Sequence, residues 1–452
     1  MRYLPITDKE RREMLAKIGA NSVEDLFSPL PKNVLLKKEL NLPDAKSEME
    51  IEKEMKNLGR KNKGAEMLSF LGGGCYRHYS PSIVDQLLLR SEFYTAYTPY
   101  QSEVSQGTLQ VIFEFQTMIS NLFGMDVANA SMYDGATAAA EAVMMASKAS
   151  KKGKKVLIAS TMNPQYIATI KTYTEFLVEK IDMLNMDSIT GRISESEFAK
   201  IDDETICVIF QYPNYFGVIE DLQKIAAKTK EKGAMLIPVV AEATSLGILA
   251  TPGDLDADIA VGEGQAFGLP LNFGGPGVGL FTCKEKLSRK MPGRLIGQTL
   301  DKNGNKCYVL TLSAREQHIK REKATSNICS NQGLMATAAS MYLAAMGKNG
   351  LKEVALMNLK RAEYLKKKIA SETSCKLAFS GHTYNEFTIL VPGSADSVLK
   401  ELEKDGILGG IPASKYYPEL DNAMIVNTTE VHTYEELDRF AAALKKAAGG
   451  AK

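Results

Sequence analysis

The chain has 452 residues, 44% apolar and 24% charged, with 55 basic side chains against 54 acidic ones. This exceeds one ordinary domain of roughly 100–200 residues and predicts a large domain with a smaller companion. The near-cancelling charge excludes the broad positive field of a nucleic-acid binder, and the apolar fraction is that of a globular rather than a disordered or membrane chain.

The start, Met1-Arg2-Tyr3-Leu4-Pro5-Ile6-Thr7-Asp8-Lys9-Glu10, becomes charged before an apolar stretch of signal-peptide length can form, so a cytoplasmic protein is expected. Thr7 and Glu10 make a capping box, and Met14, Leu15 and Ile18 follow at helical spacing. After the breaks at Pro29, Pro31 and Pro43 a second, charged helix is expected over about 44–60. This arm could pack on the chain's own body or on a second subunit, and both remain open.

The stretch Gly72-Gly73-Gly74-Cys75-Tyr76-Arg77-His78 reads as a loop. Cys75 is taken as a small buried residue rather than a nucleophile. Next, 94–107 gathers Tyr97, Tyr100 and Glu103 beside Pro99 and two glutamines. Rings with hydroxyl and carboxylate groups can wall a small polar substrate, although tyrosines that merely fix a loop to the core would read the same. The six cysteines form no Cys-x-x-Cys pair and the four histidines no His-x-x-x-His pair, so neither a metal site nor a disulfide framework is expected.

From about residue 105 helical stretches alternate with short apolar strands at 156–159, 206–210, 235–240, 259–261 and 278–281, the pattern of an α/β domain around a largely parallel sheet. Gly135, Ala136 and Thr137 open an alanine-rich helix whose free amides and dipole suit a phosphate, while an ordinary helix cap would look the same. The run Lys151-Lys152-Gly153-Lys154-Lys155 reads as a solvated loop before a strand. Glu242 ends a buried strand, where an acid either caps the next turn or pairs with the ring nitrogen of a pyridine cofactor.

The segment around Gly262-Glu263-Gly264-Gln265 has the form of a strand, polar turn and glycine-rich return on which pyridoxal-phosphate (PLP) enzymes carry a lysine. Gln265 stands there instead, and an amide nitrogen is not a nucleophile. Arg315 to Ile328 combines dense charge with Thr325, Ser326 and Asn327, which could reach an anion or simply cap a helix at Thr325 or Ser326. Helices near 351–369, 395–404 and 434–447, with strands at 386–391 and 423–426, make a smaller C-terminal α/β unit. The expected division is 1–104 for the arm and linker, 105–334 for the large domain and 335–452 for the small one.

Five segments in order carry a resemblance: Phe70-Leu71-Gly72-Gly73-Gly74; Tyr97-Thr98-Pro99-Tyr100-Gln101-Ser102-Glu103; Gly262-Glu263-Gly264-Gln265; Phe273-Gly274-Gly275-Pro276-Gly277; and Arg315-Glu316-Gln317-His318 through Ala324-Thr325-Ser326-Asn327-Ile328-Cys329. Over nearly its whole length the chain resembles the glycine cleavage system P proteins (glycine decarboxylases), and among them the subunit 1, or alpha, chains of two-subunit forms. The resemblance implies the aminotransferase-like fold type I of PLP-dependent transferases and a heteromeric glycine dehydrogenase (aminomethyl-transferring). In such a complex PLP sits on a lysine of subunit 2, glycine loses carbon dioxide, and the aminomethyl group passes to the lipoyl arm of H protein.

It further implies an α2β2 assembly in which this chain completes the partner's site. Thr325, Ser326 and Asn327 would then serve the partner's PLP phosphate, and Tyr97, Tyr100 and Glu103 the glycine or lipoyl side. Gly135, Ala136, Thr137, Glu242 and Gln265 would be the remains of a degenerate PLP site with no covalently held cofactor. Glu242 departs from the family, where an aspartate is expected. Two other readings are kept: an autonomous PLP enzyme using Lys284 or Lys286, and a non-catalytic scaffold that docks H protein or stabilises subunit 2.

Overall fold

The computed structural model describes residues 5–150 and 153–449. By contacts the chain divides into two compact units, Met1–Ala65 and Glu66–Lys452. Residues 66–104, expected with the arm, thus belong to the second unit.

In the first unit the helix Asp8–Lys17 starts from the Thr7/Glu10 capping box and the helix Glu48–Gly59 from a second one, Ser47/Glu50. Leu15 is the one buried side chain among its described residues. Leu36 (71%), Leu42 (71%) and Met49 (76%) are largely exposed.

The second unit opens with the two-residue strand β1 (Leu68–Ser69). Seven further strands, β2 (Val127–Ala128), β3 (Lys155–Ala159), β4 (Lys180–Leu184), β5 (Thr205–Gln211), β6 (Met235–Val240), β7 (Ile259–Glu263) and β8 (Gly279–Cys283), form one sheet in the order β2-β8-β7-β6-β5-β3-β4. The strands from β4 across to β7 run parallel, and β8 and β2 are antiparallel to their neighbours. Every residue of β3, β5, β7 and β8 is buried, as a sheet covered on both faces requires. The helix Gly135–Ala149 packs on β7 and β8, and the helix Gln106–Phe123 packs on β2.

The edge strand β4 escaped the sequence reading because its charged Lys180 and Asp182 break the apolar run. The antiparallel hairpin of β9 (Leu295–Leu300) and β10 (Lys306–Thr311) was also missed. Lys155 corrects another expectation: it opens β3 at 7% exposure, its ammonium donating to the Lys200 carbonyl at 2.8 Å and to Asp202 at 2.6 Å. Lys151 and Lys152 lie outside the described residues.

Past a long helix, Gly333–Glu372, broken at Gly347 (φ 58°, ψ −174°), comes a four-stranded sheet. Its strands are β11 (Lys376–Leu377), β12 (Glu386–Leu390), β14 (Ile411–Pro412) and β15 (Ala423–Asn427), while β13 (Ile407–Leu408) pairs parallel with β1. The helices Ala395–Lys404 and Tyr434–Ala447 close a second core that also takes in Leu68 and Phe70.

Gly217 marks the joint that sets the position of Glu386: at φ +84° it lies so close to β12 that a Cβ would strike the Glu386 carbonyl. Gly217→Ala therefore meets both backbone strain and a clash. It is expected to lower stability by more than about 1 kcal/mol in denaturant unfolding; an unchanged midpoint would refute the tight joint.

Candidate functional site

The C-terminal ends of β6 and β7 lie side by side, with Val240 opposite Gly262, where open α/β sheets place their ligands. Glu242 continues from β6 and is buried at 2% exposure. It caps the next turn, one oxygen accepting from the Thr244 amide at 3.0 Å and hydroxyl at 2.5 Å. Its other oxygen faces His78 Nε2 at 2.9 Å and accepts from Asn385 Nδ2 at 3.2 Å.

His78 in turn places Nδ1 2.8 Å from Glu430, whose second oxygen accepts the Tyr79 amide at 2.7 Å. Burial alone would push this imidazole down; Glu242, then Glu430, instead raise it to about 10, so at neutral pH it is an imidazolium between two carboxylates. Glu430 is correspondingly held low by His78 against its own burial.

Gln265 is built into the turn. Its backbone amide donates to Glu263 at 3.0 Å, its Nε2 to the Leu269 carbonyl at 2.8 Å, and its Oε1 accepts the Tyr76 amide at 3.1 Å. Glu263, the last residue of β7, also accepts from the Val278 amide at 2.9 Å and from the Gly135 amide at 2.8 Å. Thr137, two positions further into that helix, donates its amide to Asp134 at 2.8 Å. Gly135 is thus joined through Glu263 to the turn that carries Gln265, Ala136 and Thr137 lie in the same first helical turn, and Glu242 follows the neighbouring strand; their polar groups are bonded to the chain itself.

Nearby, Glu386 accepts from the Gly73 amide at 2.7 Å and from the Tyr76 hydroxyl at 3.1 Å. Burial raises it to about 8, and Glu263 to about 7. Cys75 is exposed, correcting the expectation of burial. Its thiol is nevertheless pushed up, by partial desolvation and then by Glu263 and Asp134, which leaves it a poor nucleophile.

The other predicted residues gather elsewhere. Tyr97 (83%) and Tyr100 (63%) are solvent-facing, and Glu103 is exposed on a short 3-10 turn, Ser102–Val104. The buried Arg294 ties their loop down: it reaches the Thr98 hydroxyl at 3.4 Å and the Tyr100 hydroxyl at 3.5 Å, and lies 5.4 Å from the Tyr100 ring centre. The same guanidinium donates to the Cys329 carbonyl at 3.0 Å and to Asn331 at 3.4 Å. Between these strips lies a cavity of about 170 Å³ lined by Phe93, Tyr97, Pro99, Thr108, Asn331 and Leu334.

Thr325, Ser326 and Asn327 do not cap a helix; the next begins at Gly333 with Gln332 as its cap. The Ser326 hydroxyl points inward to Glu141 at 2.7 Å, Lys148 holds the carbonyls of Ala324 and Thr325, and Asn327 is exposed. The Cys329 amide reaches the Tyr133 hydroxyl at 3.4 Å, beside Asp134 at the cleft. Lys284 is paired with Asp256 and Asp258, and Lys286 with Asp258, at the other end of β7 from Gln265.

The family model described as "Glycine cleavage system P-protein" matches residues 1–444. The chain belongs to that family. It is 49% identical over 442 residues to a "Probable glycine dehydrogenase (decarboxylating) subunit 1" of Geobacillus thermodenitrificans, covering 97% of each chain. A protein of the same description from Moorella thermoacetica is 48% identical, with 98% of this chain and 99% of that one covered.

A crystal structure of glycine decarboxylase (P-protein) of the glycine cleavage system, in inhibitor-bound form, superposes with a TM-score of 0.89 at 40% identity, covering 99% of this chain and 100% of that one. The sphingosine-1-phosphate lyase of Burkholderia pseudomallei shares the fold at 13% identity, with a TM-score of 0.67 and 93% and 95% of the two chains covered. The architecture is the aminotransferase-like fold type I expected from the sequence.

Sequence reasoning missed His78, Glu430, Glu386, Glu141 and Arg294. His78 and Glu430 are 352 residues apart, so no spacing could have paired them. Glu263 was visible, two residues before Gln265, but only the fold shows that it reaches the helix opening at Gly135.

His78, Glu263 and Glu386 all have folded-state values above their unfolded ones of about 6.5 for His and 4.3 for Glu. Each therefore contributes stability that is complete below its unfolded value and lost as pH rises through about 7 for Glu263, 8 for Glu386 and 10 for His78. The midpoint of thermal unfolding is expected to fall steadily from about pH 6 to about pH 9. A flat profile across that window would contradict the assignment.

Proposed function

We propose that this chain is the alpha partner of a cytoplasmic, two-subunit glycine decarboxylase. It pairs, as α2β2, with a homologous subunit 2 whose lysine holds PLP, and the complex passes the aminomethyl group of glycine to lipoylated H protein with release of carbon dioxide. The observation that carries this reading is Gln265: the position where the fold offers a lysine holds an amide, spent on the turn and the Tyr76 loop. The similarity to relatives described as subunit 1 of a glycine dehydrogenase supports the same reading. PLP supplies the electron sink for the pair left when glycine loses carbon dioxide.

The residues of this chain complete the partner's site. Tyr97, Tyr100 and Glu103 border the glycine or lipoyl side from a loop held down by Arg294. Asn327 and Thr325 face the partner's cofactor phosphate, with the Ser326 hydroxyl anchoring their segment to Glu141. Because Arg294 bonds both strips, it fixes their separation, and separations of reacting groups matter steeply.

The scaffold reading draws on the arm, whose exposed Leu26, Phe27, Leu36 and Met49 suit docking on another chain. One experiment separates the two. The chain is prepared alone, with subunit 2, and subunit 2 is prepared alone; each is given PLP, reduced with borohydride and assayed for glycine–carbon dioxide exchange with H protein. Trapped cofactor on subunit 2 and exchange in the pair only support the shared site; undiminished exchange by subunit 2 alone supports the scaffold, and cofactor trapped on this chain refutes both.

Within the complex, Thr325→Ala is expected to weaken PLP retention about tenfold, equivalent to about 1.4 kcal/mol. Arg294→Ala, which frees both strips, is expected to lower exchange about a hundredfold. Unchanged PLP affinity in the first variant, or unchanged exchange in the second, would remove that residue from the site; unchanged kinetics in Glu103→Gln would do the same for Glu103.

A further inference from the structure

A phosphate bound at a helix N-terminus needs amides free to point at it. In the helix Gly135–Ala149 the Gly135 amide is given to Glu263 and the Thr137 amide to Asp134. Glu263 has no slack, since it also satisfies the buried amides of Gln265 and Val278. Nor is there room: a single Cβ added at Gly135 would come within 3.0 Å of the Glu263 Cβ and 3.1 Å of the Tyr166 ring, and one at Gly277 within 3.0 Å of the Glu263 carboxylate.

At the other end of the cleft, Glu242 is matched by His78 and is not free for a pyridine nitrogen. The residues present therefore do not fit PLP. We propose that Glu263 closes this chain's own cleft to PLP, bound covalently or not, by occupying the anion position at the opening of the helix Gly135–Ala149. The absence of a lysine is then the smaller obstacle, and Gln265→Lys alone does not restore a cofactor site.

Electrostatics point the same way. The Cys75 thiol and the Tyr166 hydroxyl border this position, and both are pushed up by burial and then by the carboxylates of Glu263 and Asp134. A phosphate dianion entering here would meet the acidic side chains of Asp134 and Glu263, the latter ionised as pH rises through about 7, with repulsion strengthened by burial. Displacing Glu263 to admit it would strip the Gln265 and Val278 amides of their acceptor.

The test uses the assembled complex, with the partner's cofactor first fixed by borohydride so that its site is blocked. Fresh PLP is titrated in, reduced again, and the label mapped by peptide mass spectrometry in the wild type, Gln265→Lys, and Gln265→Lys with Glu263→Ala. The expected result is no saturable binding to wild-type chain at millimolar PLP, no label at position 265 in the single variant, and label there in the double variant.

In Glu263→Ala alone, inorganic phosphate is expected to raise the melting temperature, while leaving that of the wild type unchanged. Saturable PLP binding by the wild-type chain, or stoichiometric label in Gln265→Lys, would overturn the proposal. So would a folded double variant that stays unlabelled. Should Glu263→Ala fail to fold, the wild-type titration and the single variant still decide. A partner chain that itself retains no PLP would sink the proposed function without touching this result.

Discussion

His78 sits between two carboxylates brought from distant parts of the chain, Glu242 at the end of a central strand and Glu430 beyond the last strand of the small sheet. The loop from Gly72 to Tyr79 is thereby fixed to both sheets at once. A buried ion triad of this kind gains little over a well-packed apolar core, because desolvation consumes most of the attraction. Removing one member is costly, since it strands the others without a counter-charge. The arrangement therefore specifies position more than it adds stability. With this loop fixed, Tyr76 reaches Glu386, and its amide is available for Gln265.

The second constraint is Glu263. At the opening of a helix it serves as acceptor for three amides from three segments, while burial raises it to about 7. Around Gln265 the polar groups form an internal joint: Glu263 binds three amides of the chain and Glu242 is paired with His78. The chain keeps the architecture but redirects its polar groups inward. On a different strip, Arg294 links the tyrosine loop to the segment after Ala324.

Much of the central sheet was legible because buried parallel strands are short apolar runs between polar turns, as at Ile206 to Phe210. The edge strand with Lys180 and Asp182 was not, since one of its faces meets water and tolerates charge. Thr7 and Glu10 announced their helix because a capping box is a local device, satisfied within four residues. Gln265 could be singled out by chemistry alone: an amide where an amine is needed. Its neighbours in space could not be, because His78, Glu430 and Glu386 are united only by the folded topology. Ser326 illustrates the opposite limit, for a hydroxyl in a polar segment gave no sign that it would turn inward to Glu141.

The 352 residues that separate His78 from Glu430 bear on how the chain is made. The loop and the central sheet emerge from the ribosome well before the carboxylate that completes the triad. Until the final helix region has been synthesised, His78 has Glu242 for company but lacks its second counter-ion. A chain ended before Glu430 would leave the loop around Tyr76 without its second anchor. The loop around Tyr76 thus gains its second anchor only after the chain beyond the last strand of the small sheet has been made.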